Sequence, residues 1–415
     1  MESAPRYPIL SRLITENSEA VIVLHEAHRP ARPLGRCSLG YDGQMPLSRR
    51  ALLATAPLLL AGCTQRRNTL SPPAGMVRLA RVRVAPDRVI RTTVGLRPFR
   101  PSGFVVRGEK LDDKAIVHNY GHGGAGITLS WGTAQLAVEE AATIDRRQAA
   151  VIGCGVIGLS TARLLQQRGY SVSIYTKAMP PDTTSNLAGG LWSPTTVYDH
   201  RQVTPEFRRQ FGEAGRFAFR RYQSMVGAAY GVRWLPLYRL SRDAPYQPAP
   251  PESPYSEIDP LYPEAKELAR TEHPFDVPYA YRCYSMLIEP AIYLNALLRD
   301  FLQARGEILV REFESARDLM SLHEPLIFNC TGLGAKALVH DDELIPVRGQ
   351  LSFLLPQPEV EYMTLGPGDI YMFPRSDGIL LGGSYEHGIW DVQPDPATKE
   401  RVLRENSALF DGMRV

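Results

Sequence analysis

The segment Val151-Ile152-Gly153-Cys154-Gly155-Val156-Ile157-Gly158 lies between a short apolar run, Ala149 to Ile152, and a stretch from Leu159 to Arg168. In that stretch Leu159, Ala162, Leu164 and Leu165 fall on one helical face. Glycines at this spacing, between a buried strand and an amphipathic helix, commit the chain to a strand–turn–helix that holds a diphosphate. Gly153 permits the tight turn, Gly155 lets a pyrophosphate approach the backbone, and Gly158 lets the helix pack on the sheet. From about Val156 the helix N-terminus presents free N–H groups, with Cys154, Val156 and Ile157 completing the loop. Gly169 ends the helix, and Ser171 to Tyr175 returns as a second strand, which starts a βαβ unit. One expected element is missing. An acidic residue normally closes the second strand and grips the ribose, but Thr176-Lys177 stand there. A lysine suits a 2′-phosphate, so NADP stays open at this point.

A second glycine-rich block, His118-Asn119-Tyr120-Gly121-His122-Gly123-Gly124-Ala125-Gly126-Ile127-Thr128-Leu129-Ser130-Trp131-Gly132, precedes the first by about twenty residues. His118 and His122 have the spacing of a metal pair, but the glycines around them argue against a helix. They read as structural hydrogen-bonders, and no metal is expected. A third stretch, Thr183-Thr184-Ser185-Asn186-Leu187-Ala188-Gly189-Gly190-Leu191-Trp192, combines hydroxyls with glycines. It suits either a phosphate-bonding loop or a plain polar loop.

A chain of 415 residues with 44% hydrophobic and 22% charged residues can bury more than one core. A net charge of +3 gives no argument for nucleic acid. The cysteines (Cys37, Cys63, Cys154, Cys283, Cys330) share no CxxC spacing, so neither a zinc site nor a redox dithiol is expected. Within residues 45–64, Ser48-Arg49-Arg50-Ala51-Leu52-Leu53, the apolar run from Ala54 to Ala61, and Gly62-Cys63 read as an export signal with twin arginines and a lipobox-like end. The run is too short to span a bilayer, and a short buried helix is the alternative. The expected location is therefore the periplasm or a membrane anchored through lipid on Cys63, or the cytoplasm if the signal reading fails.

Along the remainder, residues 64–77 read as a linker and Val77 to Val84 as a strand. The prolines of Gly95-Leu96-Arg97-Pro98-Phe99-Arg100-Pro101 exclude a helix. Helices are expected at Thr133 to Ala142, over 205–232, at Ile292 to Gly306 and at Val402 to Phe410. Strands are expected at Ile308 to Phe313, Leu326 to Cys330 and Ile379 to Gly383. Residues 244–280 are Pro-rich and read as irregular.

Five motifs together resemble the D-amino acid oxidases: GLRPFRP, HNYGHGG-x-G-x-TLSWG, VIGCGVIGLSTA, TTS-NLAGGLW, and Phe328-Asn329-Cys330-Thr331-Gly332. Arg348-Gly349-Gln350 and Leu381-Gly382-Gly383 are weaker matches. In that family the fingerprint opens the chain and the HNYGHGG block closes it, so the order here is that of a circular permutation. The resemblance implies an α/β fold: a Rossmann-like FAD-binding domain of the glutathione-reductase type with a mixed-sheet substrate-binding domain. The expected division is an extension over 1–77, substrate-domain parts at 78–104, 198–294 and 346–415, and FAD-domain parts at 105–197 and 295–345. The permuted join falls near 138–148, and residues 408–415 are expected beside Val82 to Val89.

The resemblance further implies noncovalent FAD, with a D-amino acid and oxygen as partners. It implies hydride removal from the substrate α-carbon, giving a 2-oxo acid, ammonia and hydrogen peroxide. Arg97 matches the carboxylate-binding arginine, Tyr371 the tyrosine that also meets the carboxylate, and Gly124 the glycine whose carbonyl faces the amine. A second tyrosine four residues before Tyr371 is absent, and Pro367 stands in its place. The implied flavin contacts are Gly153, Cys154, Gly155, Val156, Ile157, Gly158, Thr183, Thr184, Ser185, Gly189, Gly190, Leu191, Phe313 and Thr331, together with Gly123, Gly124, Ala125, Gly126, Ile127 and Thr128. Three other readings stay open: an exported D-amino acid dehydrogenase passing electrons to a quinone or carrier, a catalytically silent flavin- or D-amino-acid-binding protein, and an NADP oxidoreductase. A homo-oligomer is also left open.

Overall fold

The computed structural model describes residues 14–16, 19–21, 76–144 and 146–414. In chain order the strands are β1 (Ile14–Glu16), β2 (Glu19–Val21), β3 (Val89–Phe99), β4 (Val105–Leu111), β5 (Lys114–Tyr120), β6 (Gln148–Ile152), β7 (Ser171–Thr176), β8 (Val232–Ser241), β9 (Lys266–Leu268), β10 (Tyr279–Ile288), β11 (Glu307–Val310), β12 (Leu326–Asn329), β13 (Ile345–Leu354), β14 (Met363–Leu365), β15 (Tyr371–Arg375), β16 (Gly378–Gly382) and β17 (Glu386–His387). The helices are α1 (Gly126–Glu140), α2 (Val156–Gln167), α3 (Pro205–Gln223), α4 (Pro290–Gln303), α5 (Ala335–Leu338) and α6 (Pro396–Asp411).

Ala149 to Ile152 are all buried, as a strand covered on both faces requires. Ala149 and Val151 point into the core shared with α1 and α2, while Ala150 and Ile152 point to a smaller core with Ile116, Ile327 and Leu319. Around β6 runs an eight-stranded sheet, β1-β2-β11-β7-β6-β12-β5-β4. Its central strands, β11 through β5, are parallel, and β4 returns antiparallel on β5. β12 separates β5 from β6, so the two glycine-rich motifs leave the sheet on either side of it.

The second sheet runs β17-β13-β16-β15-β14-β8-β10-β9, with β3 paired to β13. It is mixed: β14 lies parallel to β8 and the other pairings are antiparallel. This mixed α/β architecture, a parallel dinucleotide-type sheet with a second mixed sheet, is the fold class expected from the sequence.

Several elements differ from expectation. Residues 77–84 form no strand. Their alternation arises because Val82 enters the core with Val402 and Phe410, while Arg81 Nη2 donates to the Met413 carbonyl at 2.8 Å. That contact, with Tyr362 Oη donating to the Ala80 carbonyl at 2.8 Å, does place residues 408–414 beside this segment. GLRPF continues β3 to its end, with Pro98 opposite Pro346 on β13. A proline is tolerated there because β3 has β13 as its one strand partner among the described residues. α1 starts at Gly126, ahead of the Thr133 expected, because the apolar TLSW run is buried along the helix. α3 stops at Gln223, short of the helix expected over 205–232, and β8 begins at Val232. β11 ends at Val310, three residues before Phe313. α6 starts early, at Pro396, because the Asp395 carboxylate caps it by accepting from the Ala397 and Thr398 amides. The export-signal region, with Cys37 and Cys63, lies outside the described residues.

Candidate active site

A cavity of about 760 Å³ runs along the ends of β6, β7, β11 and β12 and reaches the face of β3, β13 and β15. Both glycine-rich motifs open into it, which decides how they are used: they share one cleft.

At the diphosphate end, Gly153 turns with φ +110°, a conformation that an L side chain rarely adopts. A Cβ there would meet the Cys330 carbonyl oxygen at 2.6 Å, and one on Gly158 would meet the Gly153 carbonyl oxygen at 1.9 Å. The turn is thus pressed between β12 and α2 with no room for side chains. Cys154, Gly155, Val156 and Ile157 line the cavity, as do Thr183, Thr184 and Ser185 from the loop after β7. The Ser185 hydroxyl accepts from the Val156 amide at 3.0 Å, so this loop closes over the N-terminus of α2. Burial pushes the Cys154 thiol up to about 12, which keeps it protonated.

The FNCTG motif ties the two glycine blocks together. Asn329 Nδ2 lies 3.2 Å from His118 Nδ1, and Asn329 Oδ1 accepts from the Thr331 hydroxyl at 2.7 Å. Thr331 and Phe313 line the cavity. His118 Nε2 faces Glu109 at 3.0 Å, and His122 Nε2 pairs with the Thr133 hydroxyl at 2.9 Å. Burial pulls His122 down to about 3, so its ring stays neutral.

Arg97, Tyr371 and Gly124 line the same cavity. Arg97 leaves β3 opposite Val347 and folds across β13, where a Cβ on Gly349 would fall 2.3 Å from Nη1. Tyr371 lies opposite Gly382 on the neighbouring strand, and a Cβ on Gly382 would fall 2.1 Å from its ring. The glycines of the two weaker motifs therefore make the space these side chains occupy. Gly124 follows Gly123 into the same corner, and a Cβ on Gly124 would lie 3.3 Å from Arg97 Cδ. Burial raises the Tyr371 hydroxyl, while the adjoining Arg97 works the other way through charge and a hydrogen bond. The phenol stays protonated and able to donate.

Not every expected contact reaches the cavity. Gly126, Ile127 and Gly189 line it, but Gly158, Gly190, Leu191, Ala125 and Thr128 do not. Gly190 accepts the Ile288 amide at 2.7 Å, Leu191 bridges Leu287, and Thr128 holds Ser193 N at 3.3 Å. These residues fix the loop that Gly189 ends.

One contributor escaped the sequence reading. The Tyr385 ring lies under the Arg97 guanidinium, 4.7 Å from Cζ, and the Ser384 carbonyl accepts from Arg97 Nη1 at 3.4 Å. Their segment is clamped by buried Arg348, which donates to both Glu386 oxygens at 2.7 and 2.9 Å, to the Asp391 carbonyl at 2.8 Å and to that of Gln393. No motif marks Tyr385; only the spacing from Gly382-Gly383 placed it near the strand end.

The glycine cradle, the helix terminus and a cleft continuous to Arg97 fit a flavin dinucleotide. The family model described as FAD dependent oxidoreductase matches residues 32–140 and 148–415. The chain is 32% identical over 271 residues to the D-amino-acid oxidase of Rubrobacter xylanophilus, covering 64% of this chain and 78% of that one. It is 30% identical over 268 residues to the D-amino-acid oxidase of Streptomyces coelicolor (62% and 76% covered). With the human D-aspartate oxidase it shares 28% over 271 residues (64% and 76% covered). Among solved structures, glycine oxidase from Geobacillus kaustophilus aligns with a TM-score of 0.48 at 17% identity, over 65% of this chain and 80% of that one. With the family matched over most of its length and the dinucleotide cleft formed, the chain belongs to the DAO family of FAD-dependent oxidoreductases and uses FAD as its cofactor.

Proposed function

We propose that this enzyme oxidises D-amino acids to 2-oxo acids, with release of ammonia and reduction of oxygen to hydrogen peroxide. The observation that carries the reading is that Arg97 and Tyr371 stand together, joined by a hydrogen bond, on the cleft that the diphosphate-type turn also lines. When bound, FAD supplies the hydride acceptor. The chain's own residues bind and orient the substrate. Arg97 offers a planar two-point fork to the carboxylate. Tyr371 donates a further hydrogen bond from a hydroxyl that burial keeps protonated. The Gly124 carbonyl is the acceptor we assign to the substrate amine. Positioning of this kind needs no general acid or base. The names of the relatives, D-amino-acid oxidases and a D-aspartate oxidase, support the D configuration.

The residues assigned to FAD are Gly153 to Ile157, Thr183 to Ser185, Gly189, Phe313, Thr331, Gly123, Gly124, Gly126 and Ile127. We assign strands β4 to β7, β11 and β12 of the eight-stranded sheet to FAD and the mixed sheet to substrate, with the boundaries given above. Export through residues 45–64, with lipid on Cys63, is likewise our reading; fractionation of cells producing the tagged protein tests it, and recovery only in the cytoplasm ends it.

Anaerobic mixing of the yellow protein with D- and L-amino acids tests the activity. Bleaching of the flavin by D-amino acids alone, with peroxide formed on admitting air, is expected. Bleaching without peroxide means a dehydrogenase, and no bleaching by any of them sinks the assignment.

A further inference from the structure

The end of β7 lacks the carboxylate that normally binds ribose hydroxyls and carries Lys177 in its place. The neighbouring parallel strand supplies an acid at the same spot. β11 pairs with β7 so that Val310 lies opposite Thr176, and the Arg311 amide donates to the Thr176 carbonyl at 2.9 Å. Glu312 therefore emerges beside Lys177, and its Oε1 lies 3.1 Å from Lys177 Nζ. Both residues line the cavity.

As a contribution to folding this pair is minor. The two side chains are 69% and 63% exposed, where an ion pair contributes only about 0–1 kcal/mol. As a piece of the cleft it has a clear effect. The glutamate neutralises the ammonium that would favour a 2′-phosphate and brings carboxylate oxygens that can accept from free hydroxyls. A carboxylate has about four acceptor sites, and the lysine occupies one of them.

We infer that Glu312, held in place by Lys177, supplies the carboxylate that binds the ribose hydroxyls of the cofactor's adenosine. The acceptor has moved one strand along the sheet, and the basic residue at the usual position serves as its support. The inference rests on FAD as the occupant of the cleft; wild-type apoprotein that binds no FAD would remove both together.

The test is a binding cycle on apoprotein, read by quenching of flavin fluorescence. FAD is compared with the analogue that lacks the 2′-hydroxyl of the adenosine ribose. Wild type should prefer FAD by about tenfold. Glu312→Gln should bind FAD about tenfold more weakly and bind both ligands alike. The double swap Lys177→Glu/Glu312→Lys, which returns the acid to β7, should recover most of the affinity and the preference. Circular dichroism and thermal unfolding establish that each variant is folded. Equal binding of the two ligands by wild type overturns the inference. So does an unchanged FAD affinity in Glu312→Gln, or loss of the preference on Asp182→Asn or Glu314→Gln instead.

Discussion

A Cβ on Gly349 would lie 2.3 Å from Nη1 of Arg97, so the guanidinium rests directly on the β13 backbone. The obstructed atom is the far end of a flexible side chain, which can swing away without disturbing the strands. Gly349→Ala should therefore unfold within a few degrees of wild type and keep its flavin. Its KM for a D-amino acid should rise at least tenfold. Steady-state kinetics beside a flavin absorbance spectrum separate these effects, and an unchanged KM would mean that Arg97 does not work from this position.

Removing the fork itself should be far more damaging. Two charge-assisted hydrogen bonds at about 1.5–3 kcal/mol each predict a loss of roughly 10²–10⁴ in kcat/KM for Arg97→Ala. Tyr371→Phe removes one neutral donor and should cost roughly tenfold, mostly in KM. Both variants should stay yellow. Flavin loss from Arg97→Ala would show that Arg97 supports the cofactor and not the substrate.

Arg348 works at a distance from the reacting atoms. By holding Glu386, Asp391 and Gln393, it keeps the segment that carries Tyr385 and Ser384 against Arg97. Arg348→Met should leave FAD affinity unchanged, raise KM several-fold and expose the 386–393 segment to limited proteolysis. An intact proteolytic pattern with normal KM would show that the clamp is dispensable.

Acid stability carries a signature of His122. Its folded-state value of about 3 lies below the ordinary 6.5, so between those values the unfolded chain holds a proton that the folded chain lacks. The favourable contribution is complete above pH 6.5 and shrinks as pH falls toward 3, by about 1.4 kcal/mol per pH unit. His273, lowered to about 4 by burial and then by Arg270 and Arg414, adds a second such term. His122→Gln should flatten the fall of stability between pH 6 and 4 by about one proton's worth, measured as the change in urea midpoint with pH. An identical slope in the variant would place the buried neutral imidazole elsewhere.

Motifs fixed by backbone geometry were plain in the chain itself. Gly153 and Gly158 admit no side chain, so their spacing discloses the turn, whereas Arg97 stands out only through the likeness of GLRPFRP to the family motif. Tyr385 was not legible because its role depends on β13 and β16 bringing a distant segment under Arg97. The same holds for Glu312, which meets Lys177 only through the pairing of β11 with β7. Residues 77–84 misled for a related reason: alternation signals one buried face, and here α6 packs on that face with no strand partner among the described residues.

Because β12 lies between β5 and β6, those strands touch it and not each other. The peptide running from Glu140 to Gln148 joins α1, the helix that follows β5, to β6, so the strands on its two sides are already held together through β12. A protease site introduced into that connection should be cut without release of the flavin, leaving two fragments that elute together as one coloured particle.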